Sequence, residues 1–552
     1  MAISRTMTVN TLVTMLLALA FVASCGDEPH TGEVDTSSSP PDRIFPDDPS
    51  VPQTCAEVEL AFEREEASSV GCQFYSVSMD ATYPSASFAI VLANVNFSKE
   101  ATFTIFGSEW DFGAGEGAWK ELLTGTIDPL GQRIVDEVTY IAVNNNPELY
   151  KHPELYNAQA VLRKGAYKIV SDVPIVAYQF NPLQKTVASA DASMLIPVTS
   201  WDTNYQVVGY KTVRPFDAAM QDTYVDMHLA YFTVVAWKDG TEVTITPNTR
   251  VRAGFEKALG DDELFPNTTE PFSVTLDESD VLFVHSDLVG ASLTGTLVTS
   301  NKDHPIGLWT GHQCALIPDY AGACDNIEEQ LPGTRFWGKE FVAARYANRN
   351  DRVNHTDPVM WQIYASEDKT TVEFTSADSI KGIGMDSVEL QQGESVELYV
   401  YGGVNDPGDF FIKANRPIAV LQYMTGALTT INHKDKPLDL GDPAVSYVPP
   451  VDQFLSRYLV NIPNMWEQDY LIITKTVGKQ VLVDGEIVDD ALFRQIPGTQ
   501  WEVGRILTAD GARIIETSND DFGVGLTVVG FDAYDSYAYT GGMGFRSINI
   551  PE

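Results

Sequence analysis

Apolar and polar residues alternate with a period of two along most of the chain, which is typical of β-strands with one buried face. Residues 232–248 alternate on both sides of Asp239-Gly240, a dipeptide that favours a two-residue turn because glycine tolerates positive φ. We therefore predict a β-hairpin there. Segments with the same pattern, also predicted as hairpins, are 88–106, 361–376 and 470–488. Helical periodicity is convincing only at 56–67, where a short cap is predicted.

These segments open a repeat. Each is followed by a polar turn and an apolar strand, at 168–180, 297–311, 411–426 and 514–530. Three copies carry Pro-Ile at this point, and proline after a polar residue predicts a turn that starts a strand. The copies are Pro174-Ile175, Pro305-Ile306 and Pro417-Ile418, with Phe522-Gly523 in the fourth. Aromatic-rich strands that we expect to close the repeats follow at 196–210, 331–345, 448–462 and 537–545.

The repeat length decides the predicted architecture. Seven or eight short strands in roughly 80–140 residues have the size of a β-sandwich or jelly-roll module, whereas propeller blades need about 40–50 residues. We predict an all-β fold of about four tandem β-sandwich or jelly-roll-like modules, with a propeller-like arrangement of the repeats as the alternative. The expected modules are 55–212 with a short N-terminal cap, 213–346, 347–464 and 465–552.

The N-terminus has the pattern of an export signal. Arg5 precedes an apolar run at 12–22, which is too short to span a bilayer as a helix. The following V-A-S-C resembles the lipobox of bacterial lipoproteins, whose cysteine is acylated. We predict a lipoprotein signal peptide at 1–24 and lipidation of Cys25, with an ordinary signal peptide as the alternative.

Residues 25–54 are rich in Pro, Asp, Ser and Thr and poor in aliphatic side chains. Such a segment cannot bury enough surface to offset its ordering entropy. We predict a disordered stalk between the lipid and the folded part.

The net charge limits the partners. With 36 basic and 76 acidic residues among 552, the chain carries a formal charge of −40. This charge repels phosphate backbones and anionic headgroups, so we expect no nucleic acid partner and membrane contact through the N-terminal lipid only. Calcium binding stays open, although the chain has no EF-hand loop pattern.

Four cysteines remain once Cys25 is set aside, and an even number in an exported chain favours disulfides. They are Cys55, Cys72, Cys314 and Cys324. Four cysteines allow three pairings, and pairing between sequence neighbours costs the least loop closure. We favour these disulfides over a zinc site.

Several blocks resemble a known family. They are 71–75 (GCQFY) leading into 88–94 (FAIVLAN), 167–182, 189–197 (SADASMLIP), 234–248, 311–318 (GHQCALIP) and 324–341. Together they are similar to the N-terminal domain of the IgG Fc-binding protein family. The resemblance covers most of residues 70–548 and implies a binding role, since the family takes its name from a secreted animal protein that binds the Fc part of immunoglobulin G. This chain departs from that protein in its predicted anchor and in lacking its long cysteine-rich regions.

Motifs for catalysis are absent from the sequence: we find no nucleophile elbow, zinc-protease motif or phosphate-binding loop. We predict no enzyme activity, no cofactor and no metal site, although His285, His304 and His312 lie close in sequence. The nine tryptophans raise the alternative of glycan binding, but Trp237, Trp309, Trp337 and Trp361 fall in or beside predicted strands, where aromatic side chains usually fill a core.

The predicted function is that of a cell-surface lipoprotein acting as an extracellular protein-binding or adhesion module. A carbohydrate-binding surface protein and a structural envelope protein are the alternatives. The expected partner is an extracellular protein or a surface glycan, and the sequence does not identify the ligand-binding residues. The expected location is the cell envelope, with the lipid in the outer membrane or at the cell surface.

Overall fold

Strands make up nearly all of the regular structure, which confirms the all-β prediction and is consistent with sandwich modules. The computed structural model describes residues 51–549 apart from twelve internal segments, and these residues all belong to the compact unit Ser39–Glu552. The segments outside the description are 81–87, 112–115, 137–159, 184–188, 215–227, 257–262, 322–323, 350–356, 376–381, 403–406, 428–439 and 519–521.

The predicted cap is a nine-residue helix, α1 (Cys55–Glu63). A capping box starts it: the Glu57 amide donates to the Thr54 hydroxyl, and the Glu57 carboxylate accepts from the Thr54 amide, so two free N–H groups are satisfied. The Cys55–Cys72 disulfide ties α1 to the first strand. No helix in the described part of the chain is long and apolar enough to cross a membrane.

The first two groups of strands occupy residues 71–331. The first group is β1 (Gly71–Ser76), β2 (Ala89–Asn94), β3 (Ala101–Asp111), β4 (Glu116–Ile127), β5 (Gln132–Val135), β6 (Val161–Leu162), β7 (Tyr167–Asn181) and β8 (Asp191–Met194). The second is β9 (Asn204–Gln206), β10 (Ala230–Ala236), β11 (Thr241–Thr246), β12 (Gly254–Phe255), β13 (Glu263–Phe265), β14 (Phe272–Leu276), β15 (Val281–His285), β16 (Leu297–Ser300), β17 (Ile306–Ala315) and β18 (Asp325–Leu331).

The last two groups occupy residues 338–540. The third is β19 (Gly338–Ala343), β20 (Asp357–Ala365), β21 (Thr370–Thr375), β22 (Ser387–Leu390), β23 (Ser395–Gly402), β24 (Phe410–Met424) and β25 (Val445–Tyr447). The fourth is β26 (Arg457–Ile462), β27 (Gln468–Thr476), β28 (Val481–Val483), β29 (Glu486–Ile487), β30 (Phe493–Gln495), β31 (Trp501–Thr508), β32 (Gly511–Thr517), β33 (Gly525–Asp532) and β34 (Asp535–Thr540).

Each group has the same antiparallel pairing. In the second repeat, the order β18-β17-β10-β15-β6 forms one sheet and β14-β11-β16-β9 forms another. The fourth repeat has the corresponding sheets β34-β33-β27-β31-β30 and β26-β32-β28-β29. In the first and third repeats, one 15-residue strand, β7 or β24, belongs to both halves and joins them into a seven-stranded sheet. The four predicted repeats are therefore present as repeats of pairing.

The prediction of hairpins at the repeat fronts is wrong. Gly240 does adopt positive φ (71°), but β10 pairs with β15 and β17, whereas β11 pairs with β14 and β16. The turn carries the chain from one sheet to the other, because both strands bury side chains in the core between the sheets. A two-residue Asp-Gly hairpin occurs instead at Asp484-Gly485, between β28 and β29, where both residues have positive φ.

The predicted Pro-Ile turn is also wrong in two repeats. β7 runs through Pro174, and β24 runs through Pro417, without a break. Each strand changes partner near its proline: β7 pairs with β3 before Pro174 and with β2 from Ile175 onward. The proline, which lacks an N–H, therefore stands where one ladder ends and the next begins.

The aromatic-rich strands expected to close three repeats pair forward along the chain. β9 pairs with β16, β19 with β24 and β26 with β32, so each lies in the sheet of the following repeat. Strand pairing therefore defines four repeats. The division of the chain into independent domains remains a prediction.

The four repeats meet around their last strands. β8 contacts β18 and β34, and β25 contacts the same two strands, so the four strands form a closed ring. Between the last repeat and the first the ring closes through hydrogen bonds: the Ser69 amide donates to the Met543 carbonyl (2.9 Å) and the Phe545 amide to the Ala67 carbonyl (2.7 Å). Sandwich-like repeats are therefore arranged in the cyclic order of the propeller-like alternative.

Candidate functional site

The centre of the ring is built around one carboxylate. Asp191, at the start of β8, is fully buried and accepts a backbone N–H from each of the four ring strands. The donors are Ala192 (2.9 Å), Glu328 (3.1 Å), Val445 (3.0 Å) and Ala538 (3.3 Å). Burial raises the pKa of Asp191 well above its ordinary value, and the four amides oppose that rise. Asp191 therefore links all four repeats at one point.

A second set of residues lies three positions before each of these four donor amides. These positions, which we call the aspartate ring, are Ser189, Asp325, Asp442 and Asp535. All four side chains are almost completely buried. Burial and then the charges of Asp442 and Asp535 raise the pKa of Asp325 far above its ordinary value, so these carboxylates lie close enough to repel one another.

Asp325 is buried without the donors that Asp191 has. Neither of its carboxylate oxygens accepts a well-formed hydrogen bond from the described residues, although the Ser189 hydroxyl is near enough to lower its pKa. One oxygen of Asp442, Oδ1, is likewise without a described donor. Arg349 lowers the pKa of Asp442, but its Nε and Nη2 atoms bind Asp357 at 2.9 and 2.6 Å. This arginine is therefore already largely neutralised.

Two glutamates on β18 add to the buried negative charge. Glu328 accepts from Gln179 Nε2 (3.1 Å), and Glu329 accepts from the Tyr447 amide (3.2 Å). Each has its second oxygen, Oε2, buried and without a partner in the described structure. Burial raises the pKa of both carboxyl groups. The centre thus concentrates buried carboxyl groups from several strands.

A second candidate is exposed on the surface, where repeats two and three meet. The loop closed by Cys314–Cys324 presents Tyr320, whose surface is 71% exposed. On the neighbouring strand β23, Tyr401 is also exposed. Lys211 lies 3.1 Å from Asp319 in the same loop. We call Lys211, Asp319, Tyr320, Tyr399 and Tyr401 the tyrosine patch. Burial raises the pKa of Tyr399 above its ordinary value, and Glu397, Asp319 and Tyr320 add to this rise, so the strand and the loop lie close together.

A cleft of about 1030 Å³ lies between α1 and the fourth repeat. Its walls carry Arg64, Arg457 and Arg546 together with Glu57 and Asp452, so basic and acidic groups are mixed. This mixture does not define one ligand class.

The cysteines form the disulfides that the sequence favours, Cys55–Cys72 and Cys314–Cys324. His228 lies beside the second disulfide, and its ligand atoms and the two sulfurs lie within 4.8 Å of one another. Because both sulfurs are bonded to each other, they are not thiolate ligands. Cys25 lies outside the described residues, so its lipidation stays a prediction.

The three histidines considered for a metal have separate partners. His285 lies 2.9 Å from Asp80, His304 lies 3.3 Å from the Thr241 hydroxyl, and His312 lies 3.1 Å from the Lys211 carbonyl. The tryptophans expected in the core are there: Trp309, Trp337 and Trp361 are fully buried and Trp237 is half-buried against it. These four side chains offer no exposed platform for a sugar.

Neither the aspartate ring nor the tyrosine patch was predicted from the sequence. A signal for the ring was present, since an aspartate begins the last strand of repeats two and four, at Asp325 and Asp535, and Asp442 precedes that of repeat three. The patch had no such signal, because it joins residues from two repeats.

The β-repeats form a ring that leaves loops exposed, and exposed loops on a rigid scaffold are common binding positions. A family model described as IgGFc binding protein matches residues 191–530, which is more than half of the chain. The chain therefore belongs to the IgGFc-binding protein family. No curated protein and no solved structure matches it.

Proposed function

We propose that the chain is a cell-surface lipoprotein whose folded part binds another extracellular protein. The observation that carries this proposal is the family match over residues 191–530, because the family is named for binding a protein. The family name refers to immunoglobulin, so the Fc fragment is one of the extracellular proteins to test as a ligand for this chain.

The tyrosine patch is the surface that we assign to the partner. Tyrosine supplies a large amphipathic contact area at low entropic cost and is enriched at the energetic centres of interfaces. Tyr320 stands on a loop whose ends are fixed by a disulfide, so less order is lost when it is bound. Loops at the end of a rigid sheet scaffold are common binding positions.

The net charge of −40 favours a partner that is basic at the contact. Opposite charges accelerate association, and salt weakens this attraction beyond about 8 Å at physiological ionic strength. Affinity should therefore fall as ionic strength rises.

A pull-down of secreted and surface proteins, including an Fc fragment, at low and high salt tests the proposal. Tyr320→Ala should reduce capture at least ~tenfold, which corresponds to about 1.4 kcal/mol. Leu507→Ala is the matched control, because Leu507 is also exposed (63%) but belongs to the fourth repeat. Equal capture by both variants would remove the patch from the proposal, and capture of nothing by the parent protein, with binding on a glycan array, would favour the carbohydrate alternative.

The anchor needs its own experiment. Cys25→Ser should abolish labelling by a fatty-acid analogue and release the protein from the membrane fraction, because the thioether-linked lipid cannot form without the sulfur. A cysteine substitution elsewhere is unsuitable as a control, since the other four are in disulfides. Ser24→Ala serves instead, because it keeps a small residue before the cysteine. Membrane retention of Cys25→Ser would contradict the lipoprotein assignment.

A further inference from the structure

We propose that the aspartate ring is a binding site for a hard divalent cation, with Ca²⁺ as the ion that fits best. Asp325 and Asp442 are the direct carboxylate ligands in this proposal. The site is independent of the protein partner proposed above.

Negative charge that is buried without a partner is unfavourable. An isolated carboxylate that is removed from water costs a large part of the net stability of a domain. Both oxygens of Asp325 and Oδ1 of Asp442 are buried without a hydrogen-bond donor in the described structure. A cation at this position supplies the missing partner for both groups at once.

The charged groups that act on Asp325 and Asp442 are other carboxylates and one arginine. Asp325, Asp442 and Asp535 interact with one another electrostatically, and the Ser189 hydroxyl lies beside Asp325. The base that acts on Asp442 is Arg349, whose guanidinium already binds Asp357. An arginine that already pairs with one carboxylate cannot also neutralise the charge of Asp325.

The ligand chemistry selects the class of ion. Carboxylate and hydroxyl oxygens without thiolate or imidazole favour a hard cation over zinc or copper. The ligand oxygens of the three aspartates do not all lie within 4.8 Å of one another, so the proposal takes only two of them, Asp325 and Asp442, as direct ligands. Mg²⁺ dehydrates reluctantly and usually keeps several waters, whereas Ca²⁺ accepts protein oxygens in a flexible geometry, so the burial of the ring favours Ca²⁺.

The repeats explain how the site arises. In each repeat, the residue of the aspartate ring lies three positions before the amide that binds Asp191. Asp191 therefore fixes the four strands in register around the site. Three repeats contribute an aspartate and the first contributes Ser189. An ion held by Asp325 and Asp442 would link repeats two and three directly.

Calorimetric titration of CaCl₂ into the EDTA-treated full-length protein tests the proposal. We expect saturable binding of one ion and a higher midpoint of thermal unfolding with calcium, because a ligand that binds only the folded state stabilises it. Asp325→Asn/Asp442→Asn should weaken binding at least ~tenfold and abolish the calcium-dependent rise in the midpoint. Glu389→Gln, on the exposed strand β22, is the control and should leave both unchanged.

Three results would overturn the proposal. They are the absence of saturable calcium binding to the folded parent protein up to millimolar concentration, equal binding by the double variant, and equal loss of binding by Glu389→Gln. If the double variant fails to fold, the single variant Asp442→Asn replaces it, with the same expectations. Proton uptake on folding in place of calcium binding would identify protonated carboxyl groups as the way the charge is neutralised, which contradicts a cation site.

Discussion

Asp191 and Asp325 are both fully buried at the centre of the ring, but their surroundings differ. Asp191 accepts N–H groups from all four repeats, whereas Asp325 faces other carboxylates and accepts no well-formed hydrogen bond from the described residues. Burial raises the pKa of both groups. Burial alone therefore does not assign a role to a carboxylate. Hydrogen-bond donors make Asp191 a structural link, whereas Asp325 has no such donors and is available to a ligand.

Removal of the structural link should have the largest effect. Asp191→Ala leaves four inward-pointing N–H groups without their acceptor, so we expect the free energy of unfolding to fall by about 3–5 kcal/mol. Urea unfolding followed by tryptophan fluorescence measures this loss. Asp191→Asn keeps one acceptor oxygen and should lose less. A loss below about 1 kcal/mol for the alanine variant would show that the link is dispensable.

Asp325→Asn should act in the opposite direction when calcium is removed. Since the pKa of Asp325 is raised in the folded protein, the folded state binds more protons than the unfolded state above pH 3.8, and stability falls as pH rises. The variant removes that fall, so at pH 8 in EDTA it should be more stable by about 1–3 kcal/mol. With calcium, the parent protein should be more stable than the variant, because only the parent protein gains stability from the ion. Destabilisation in EDTA comparable to that of Asp191→Asn would place Asp325 in the same class as Asp191.

Asp469 is an intermediate case with one side-chain donor. Tyr537 donates a hydrogen bond to it (2.7 Å), and burial raises its pKa from 3.8 to about 7. Its carboxyl group therefore lowers stability as pH rises from about 4 to about 7. Asp469→Asn should flatten this part of the profile and add about 1 kcal/mol at pH 8. Equilibrium unfolding at pH 4, 6 and 8 checks this, and an unchanged slope would contradict the raised pKa.

Local features of the fold could be predicted from the sequence. The period-two pattern gave the strands, the pattern at 56–67 gave α1, and Asp239-Gly240 gave a turn with positive φ. These features depend on a few neighbouring residues. The partners of each strand could not be predicted in the same way. β10 and β11 look like a hairpin, but their paired residues lie from 27 (Ile245 to Phe272) to 82 positions (Ala230 to His312) further along the chain.

The candidate sites depend on long-range contacts to a greater degree. Asp191 meets donors that lie up to 347 positions away in sequence, and the aspartate ring combines all four repeats. Only the recurrence of aspartate near the start of the last strand pointed to it. The tyrosine patch needs the disulfide-closed loop and β23 to be placed side by side, and no local pattern predicts that.

The hydrogen bonds that close the ring between Ala67 and Phe545 have a consequence for the order of the chain. In space, the fourth repeat follows the first as closely as the second does, so the architecture has no unique starting point. A circular permutant that connects residue 545 to residue 67 through a short linker, and that opens between repeats two and three at residues 332 and 333, keeps every strand and every donor to Asp191. Such a chain would begin with the third repeat and end with the second, and it would fold to the same ring from a different first residue.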